Sequence, residues 1–188
     1  KHQMTAGTMT SFLKSDQGKQ WAGHFKGLKA GTKEFSDKYK QVAAQHGSAF
    51  EASQKSYVDI NYFGAAAKTI KSKIGLDVVS RGRAVQELVY STAVQYGASK
   101  CASIFATVLG KDAAKMSDAE IINKIQDYKA KNVNTHFKSS SADVKKGISK
   151  RIENERKDLI SMNNTNGTRT VGANQQTPSA TGGGSVKS

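Results

Sequence analysis

Four histidines, one cysteine and fifteen carboxylates are the groups in this sequence that could ligate a metal, attack an electrophile or move a proton. His2, His24, His46 and His136 fall at no metal-ligand spacing: there is no His-x-x-x-His pair and no His-Glu-x-x-His helix. Solvated or capping roles are expected for them, and no metal. Cys101 stands alone, which excludes an internal disulfide and a cysteine-built zinc site. It opens an apolar stretch ending at Leu109 and reads as a small buried hydrophobe, because a thiol nucleophile needs a nearby base that the sequence does not offer. Gly182-Gly183-Gly184 follows no strand and precedes no helix, so it organises no phosphate cradle, and no cofactor is expected. Carboxylates hold more promise, since cutting a sugar polymer requires two of them flanking one bond. Glu87 directly precedes the apolar Leu88 and so lies beside a buried stripe, whereas Asp77 and Asp127 read as capping or ion-paired carboxylates.

The elements that must position these groups are helices. Val85, Leu88, Val89, Thr92, Ala93 and Tyr96 recur at three- and four-residue intervals, the pattern of one buried helix face. Ser80 is placed to cap this central helix and Gly97 to close it. Ser117 and Glu120 form a capping box ahead of the stripe Ile121, Ile122, Ile125, Tyr128 and Val133. Val144, Ile148, Ile152, Glu155 and Leu159 mark a further helix, studded with Lys145, Lys146, Lys150, Arg151, Arg156 and Lys157. Upstream, Phe35, Tyr39, Val42 and Ala43 predict one helix, Phe50, Gln54, Tyr57 and Val58 another, and Thr8 to Lys14 a short one. Alternating strand patterns are nearly absent. The expected fold class is all-α, mainly helical, with room for a small β element.

A change of composition at Met162 divides the chain. Residues 163–188, NNTNGTRTVGANQQTPSATGGGSVKS, hold no aromatic, Leu, Ile or Met. Such a stretch buries too little apolar surface to offset its ordering entropy and is expected to be a flexible tail or linker after a domain at 1–162. No secretory signal opens the sequence and no run of eighteen apolar residues occurs. Twenty-nine Lys and Arg against fifteen Asp and Glu give a net charge of +14, which draws the chain to polyanions: nucleic acid, an anionic membrane or the acidic polymers of a bacterial envelope. Nucleic acid is the weaker choice. Glu153, Glu155 and Asp158 interrupt the basic helix, and neither an aromatic platform nor a helix-turn-helix signature accompanies it.

Several segments together resemble the chitosanase-like muramidase domains of type VI secretion spike proteins, phage endolysins and tail lysins. The opening KHQMTAGTMTSFLKS is similar to the stretch that follows a Ser-Tyr-Gly element in those domains. SRGRAVQELVYSTAVQYG is similar to their central helix, and MSDAEIINKIQDYKAKNV, the Phe137–Ser141 run and the closing basic helix follow in order. The resemblance covers residues 1–162. It implies a two-lobed, lysozyme-like fold that hydrolyses the β-1,4-linked glycan of peptidoglycan with a Glu as general acid and an Asp assisting, and a cationic groove would suit the carboxylates on the peptide stems. In that family the catalytic pair lies upstream of the Lys-His-Gln stretch. No residue of this chain inherits those roles, and the acid is expected before Lys1. What remains is a set of groove candidates, His2, Gln3, Gln54, Tyr62, Glu87, Tyr90 and Gln95, whose amides, carboxylate and rings suit sugar recognition. The implied setting is a virion tail or baseplate, or delivery to the periplasm and cell wall, with glycan strands and other tail or spike proteins as partners. A non-catalytic structural or wall-binding tail component is the alternative.

Overall fold

A computed structural model describes residues 4–165, and His2, Gln3 and the Gly-rich stretch at 182–184 lie outside them. Among the described residues every regular element is helical, so the fold is all-α and the small β element is absent. The order is α1 (Ala6–Lys14), a 3-10 segment (Lys19–Phe25), α2 (Lys33–Val58), a π-helical turn (Asp59–Gly64) and α3 (Ala65–Ile74). Then come α4 (Arg83–Tyr96), α5 (Ala98–Leu109), α6 (Asp118–Lys131), the single turn α7 (Val133–His136) and α8 (Ala142–Thr165).

Two apolar cores form, of different chemistry. The first is aromatic: Phe12, Trp21, Phe25, Phe35, Phe50 and Tyr57, from α1, the 3-10 segment and α2, with rings meeting edge-on or stacked at centroid distances such as 5.1 Å (Trp21–Phe50) and 4.6 Å (Phe25–Phe35). The second is aliphatic and built on α3–α6 with Leu159 of α8; Leu88 and Val89 of α4 are fully buried in it, each contributing about 1.5–3 kcal/mol. Tyr62, on the π-helical turn, packs against both cores. A smaller cluster of Val133, Ile148 and Ile152 seats the start of α8.

Local chemistry explains where these helices start. Thr5, Thr32 and Ser117 each accept a backbone N–H from their own first turn, and Ser117 completes the capping box with Glu120. The expected cap on α4 is corrected. Ser80 donates its hydroxyl to the Asp77 carbonyl (2.8 Å), and the residue before α4 is Gly82, whose N–H is taken by Asp118 of α6 (3.0 Å). Arg81 reaches across the same junction to the carbonyls of Ala114 (2.7 Å) and Met116 (2.8 Å) and to the Asp118 carboxylate (3.2 Å). The Ser-Arg-Gly start of the central helix is therefore a latch onto α6, and a Cβ at Gly82 would come within 2.7 Å of the Asp118 oxygen, so a larger residue there must displace that carboxylate.

One expectation holds and another changes. The two helices expected around Phe35–Ala43 and Phe50–Val58 are both present within α2, divided by a kink at Gly47, whose φ of 0° and ψ of −88° are not helical. Val144 does not belong to the buried stripe of α8: it is exposed, and burial begins at Ile148.

Candidate functional site

The concave surface of interest lies between α2 and α4. One hollow of 360 Å³ is walled by Met4, Tyr39, Ala43, Phe50 and Val58, with Glu51, Gln54, Lys55 and Tyr90 contributing polar atoms. A second, of 320 Å³, continues past Lys55 and Tyr90 to Asp59, Phe63, Gln86 and Glu87. Lys55 and Tyr90 border both, so the two hollows form one groove with an apolar end and a polar end. Another concavity lies along the last turns of α8, between Arg156 and Thr165.

Of the sequence candidates, the structure brings Gln54, Glu87 and Tyr90 together in this groove. Gln54 is held in place: its amide oxygen accepts from the Tyr39 hydroxyl (3.0 Å) and its amide nitrogen donates to the Phe50 carbonyl (3.4 Å). Glu87 is half-exposed and faces Arg83 at 3.8 Å. Tyr90 has its hydroxyl pushed up in pKa, by burial first and then by the carboxylates of Asp59 and Glu87, against the opposing charge of Lys55. Tyr62 is elsewhere, wedged between the two cores with its hydroxyl on Thr8 (3.2 Å). Gln95 lies more than a turn beyond Tyr90 on α4 and lines neither hollow.

Glu51, Lys55 and Asp59 were not among the candidates. They belong because the last turns of α2 run into the π-helical turn along the groove wall. Irregular helical turns of this kind are common at functional sites. Lys55 donates to Asp59 at 2.6 Å, and that hydrogen bond, with the carboxylate's charge, raises the lysine's pKa. The i,i+4 spacing of Lys55 and Asp59 was the available signal, but it is shared by any solvated helix face.

The expected cationic groove is corrected by this lining. Three carboxylates, Glu51, Asp59 and Glu87, stand against Lys55, on a chain whose overall charge is +14. Excess positive charge is found on the outer face of α8, where Lys146, Lys150, Arg151 and Lys157 are exposed. Asp59 and Glu87 are both half-exposed and ion-paired. Neither sits in the apolar, water-poor setting that a glycosidase proton donor requires.

Asp77 and Asp127 are accounted for by structure. Hydrogen bonds from Lys71 and Arg156, respectively, hold their carboxyls below the usual range. Cys101 is buried, its thiol pushed up to about 12 by burial and directed at the Val89 carbonyl (3.7 Å). His136 packs on Tyr96 and Tyr128, and burial lowers its pKa, with Lys100 adding to the effect. His24 and His46, far apart in sequence, meet with ring centroids 5.2 Å apart. Among the described residues no three His, Cys, Asp or Glu side chains converge on a common point, and no helix is long and apolar enough to cross a membrane.

The comparisons with known proteins agree on a family. A profile described as type VI secretion system spike protein VgrG3-like, C-terminal, matches residues 1–156. The type VI secretion system spike protein VgrG3 of Vibrio cholerae serotype O1 is 30% identical over 159 residues, covering 83% of this chain. The chain spans 15% of that relative's length. With the matched region running from the first residue through most of α8, the chain belongs to the VgrG3-like C-terminal family of type VI secretion spike proteins.

Proposed function

We propose that this chain forms the walls of a peptidoglycan-directed glycoside hydrolase of the muramidase type, carried by a secretion spike and acting on the cell wall of a target bacterium. Its proton donor would stand on sequence N-terminal to Lys1 in a longer polypeptide. The observation that carries this reading is the position of Met4, the first described residue, on the wall of the groove's apolar end, a setting in which a carboxylic acid would be desolvated. The polar end supplies what a glycan needs. Glu87 and Asp59 there, with Gln54 from the adjoining hollow, accept from hydroxyls and acetamido N–H groups, and the Tyr90 ring offers a face to a pyranose. The exposed lysines of α8 attract an anionic envelope at long range without occupying the groove.

The test compares the 188-residue chain with a polypeptide extended by its natural preceding segment, on purified peptidoglycan. The extended form is expected to release reducing ends, and the chain alone to be retained on the wall without cutting it. Cleavage by the chain alone would show that the acid is misplaced. Retention of both forms without cleavage by either would favour the non-catalytic wall-binding alternative, and a salt-sensitive shift of DNA without wall retention would favour nucleic acid.

Within the groove, Tyr90→Ala is expected to weaken retention on peptidoglycan about tenfold, on the scale of 1.4 kcal/mol, through loss of the ring face and its hydroxyl. Gln95→Ala, on the same helix but outside the groove, should bind as the parent does. Equal binding by all three proteins in a sedimentation assay would remove Tyr90 from the site.

A further inference from the structure

His24 and His46 carry an inference independent of the glycan reading. We propose that they form a two-histidine site for a first-row transition cation of the copper, nickel and zinc class, bridging the 3-10 segment to α2. The ring centroids are 5.2 Å apart. Two imidazoles sharing one tetrahedral cation, with metal–nitrogen bonds of about 2.0–2.1 Å, place their centroids about 5 Å apart, a spacing that the observed separation meets. Imidazole is the ligand type that suits these cations.

The pair is set by the protein rather than by an ion. Trp21, buried beneath, lies 6.1 Å from the His24 ring and 5.3 Å from the His46 ring, and its own position is fixed by Phe50 at 5.1 Å. The Gln20 amide donates to the Ser53 hydroxyl at 3.1 Å, tying the 3-10 segment to α2 a second time. Neither ring must move a helix to reach the other, and His46 is exposed, so a cation has an open path. With no third His, Cys, Asp or Glu joining among the described residues, solvent completes the shell, which places the site in the micromolar class and not among closed structural zinc sites. His46 directly precedes Gly47, where α2 bends and which itself lines the groove, so an ion there would tie down that wall.

Trp21 is the chain's single tryptophan and reports on the site directly. Copper(II) titrated into the full 188-residue chain at neutral pH is expected to quench its fluorescence with a midpoint in the micromolar range, and zinc(II) in excess to reverse the quench. His24→Gln and His46→Gln should each shift the midpoint at least tenfold upward, while His2→Gln, removing the imidazole near the chain's start, should leave it in place. Far-UV circular dichroism of each variant separates a lost ligand from a lost fold, and calorimetry with zinc(II) repeats the measurement without relying on the indole. Unchanged midpoints in both folded variants, or loss of the quench in His2→Gln, would overturn the assignment.

Discussion

Truncating Glu155 to alanine is expected to lower the free energy of unfolding by about 3–5 kcal/mol, the cost of removing one partner from a buried ion pair. Lys129 of α6 is fully buried, and its ammonium donates to Glu155 of α8 at 2.9 Å. The other carboxylate oxygen accepts a hydrogen bond from the Ser91 hydroxyl of α4. Glu155 joins all three helices, and without it a lysine charge is stranded in the core. The attraction itself is not the source of the loss, since desolvating two ions consumes most of the Coulomb gain. That reasoning fixes the outcome of a second variant. Lys129→Met with Glu155→Leu, which removes both charges and keeps the volume, should recover to within about 1 kcal/mol of the parent. Urea unfolding of the parent, Glu155→Ala and the double variant decides the matter, and a loss below about 1 kcal/mol in Glu155→Ala would mean that water reaches Lys129.

The network also shows why the central helix can serve the groove. Tyr90 and Ser91 are neighbours on α4: one borders the groove, the other is clamped from behind by Glu155. Sequence periodicity displayed this helix plainly, because Leu88, Val89, Thr92 and Ala93 repeat at helical intervals. Glu155 appeared in the stripe of α8 as an acidic residue among apolar ones. That it would answer a lysine was not legible, since Lys129 looks like one more charge among the twenty-nine Lys and Arg and only the packing of α6 on α8 buries it.

The same limit governs the site. Gln54, Glu87 and Tyr90 were legible because polar and aromatic groups beside a buried stripe must emerge at the edge of a packed helix. Asp59 and Lys55 were not, since their significance comes from the π-helical turn that continues α2 along the groove. Tyr62 and Gln95 had the right chemistry on the right segments, but the turn sends Tyr62 between the cores and the pitch of α4 carries Gln95 past the groove end. Net charge misled in a simpler way. A +14 total describes the far field of the molecule, whereas among the described residues the groove is lined by four charged side chains, three of them acidic. His24 and His46 are twenty-two positions apart and meet because Trp21, Phe25 and the Gln20–Ser53 hydrogen bond hold the 3-10 segment against α2.

A second large effect is expected at a residue outside the groove lining. Gly18→Ala should cost at least about 3 kcal/mol, the upper part of the range for overpacking, because the added methyl has no room. Its Cβ would lie 2.0 Å from the Phe12 carbonyl oxygen, 2.7 Å from the carbonyl carbon and 2.9 Å from the ring. The neighbour is a backbone carbonyl that also accepts from the Ser15 hydroxyl (2.6 Å), while the Gly18 N–H returns to Ser15, so the turn after α1 is locked onto the helix it leaves. Relief requires moving Phe12, which is fully buried and meets Phe50 at 6.2 Å and Tyr57 at 5.6 Å. Since Phe50 also walls the groove, the variant should lose wall retention together with stability. Gly23→Ala is the matched control: it lies in the neighbouring 3-10 segment, nothing stands within 4 Å of its Cβ, and it should unfold within about 0.5 kcal/mol of the parent. Thermal unfolding is expected to separate the two by roughly 6–12 °C for a chain of this size, and coincident transitions would show that the turn at Gly18 is looser than its hydrogen bonds imply.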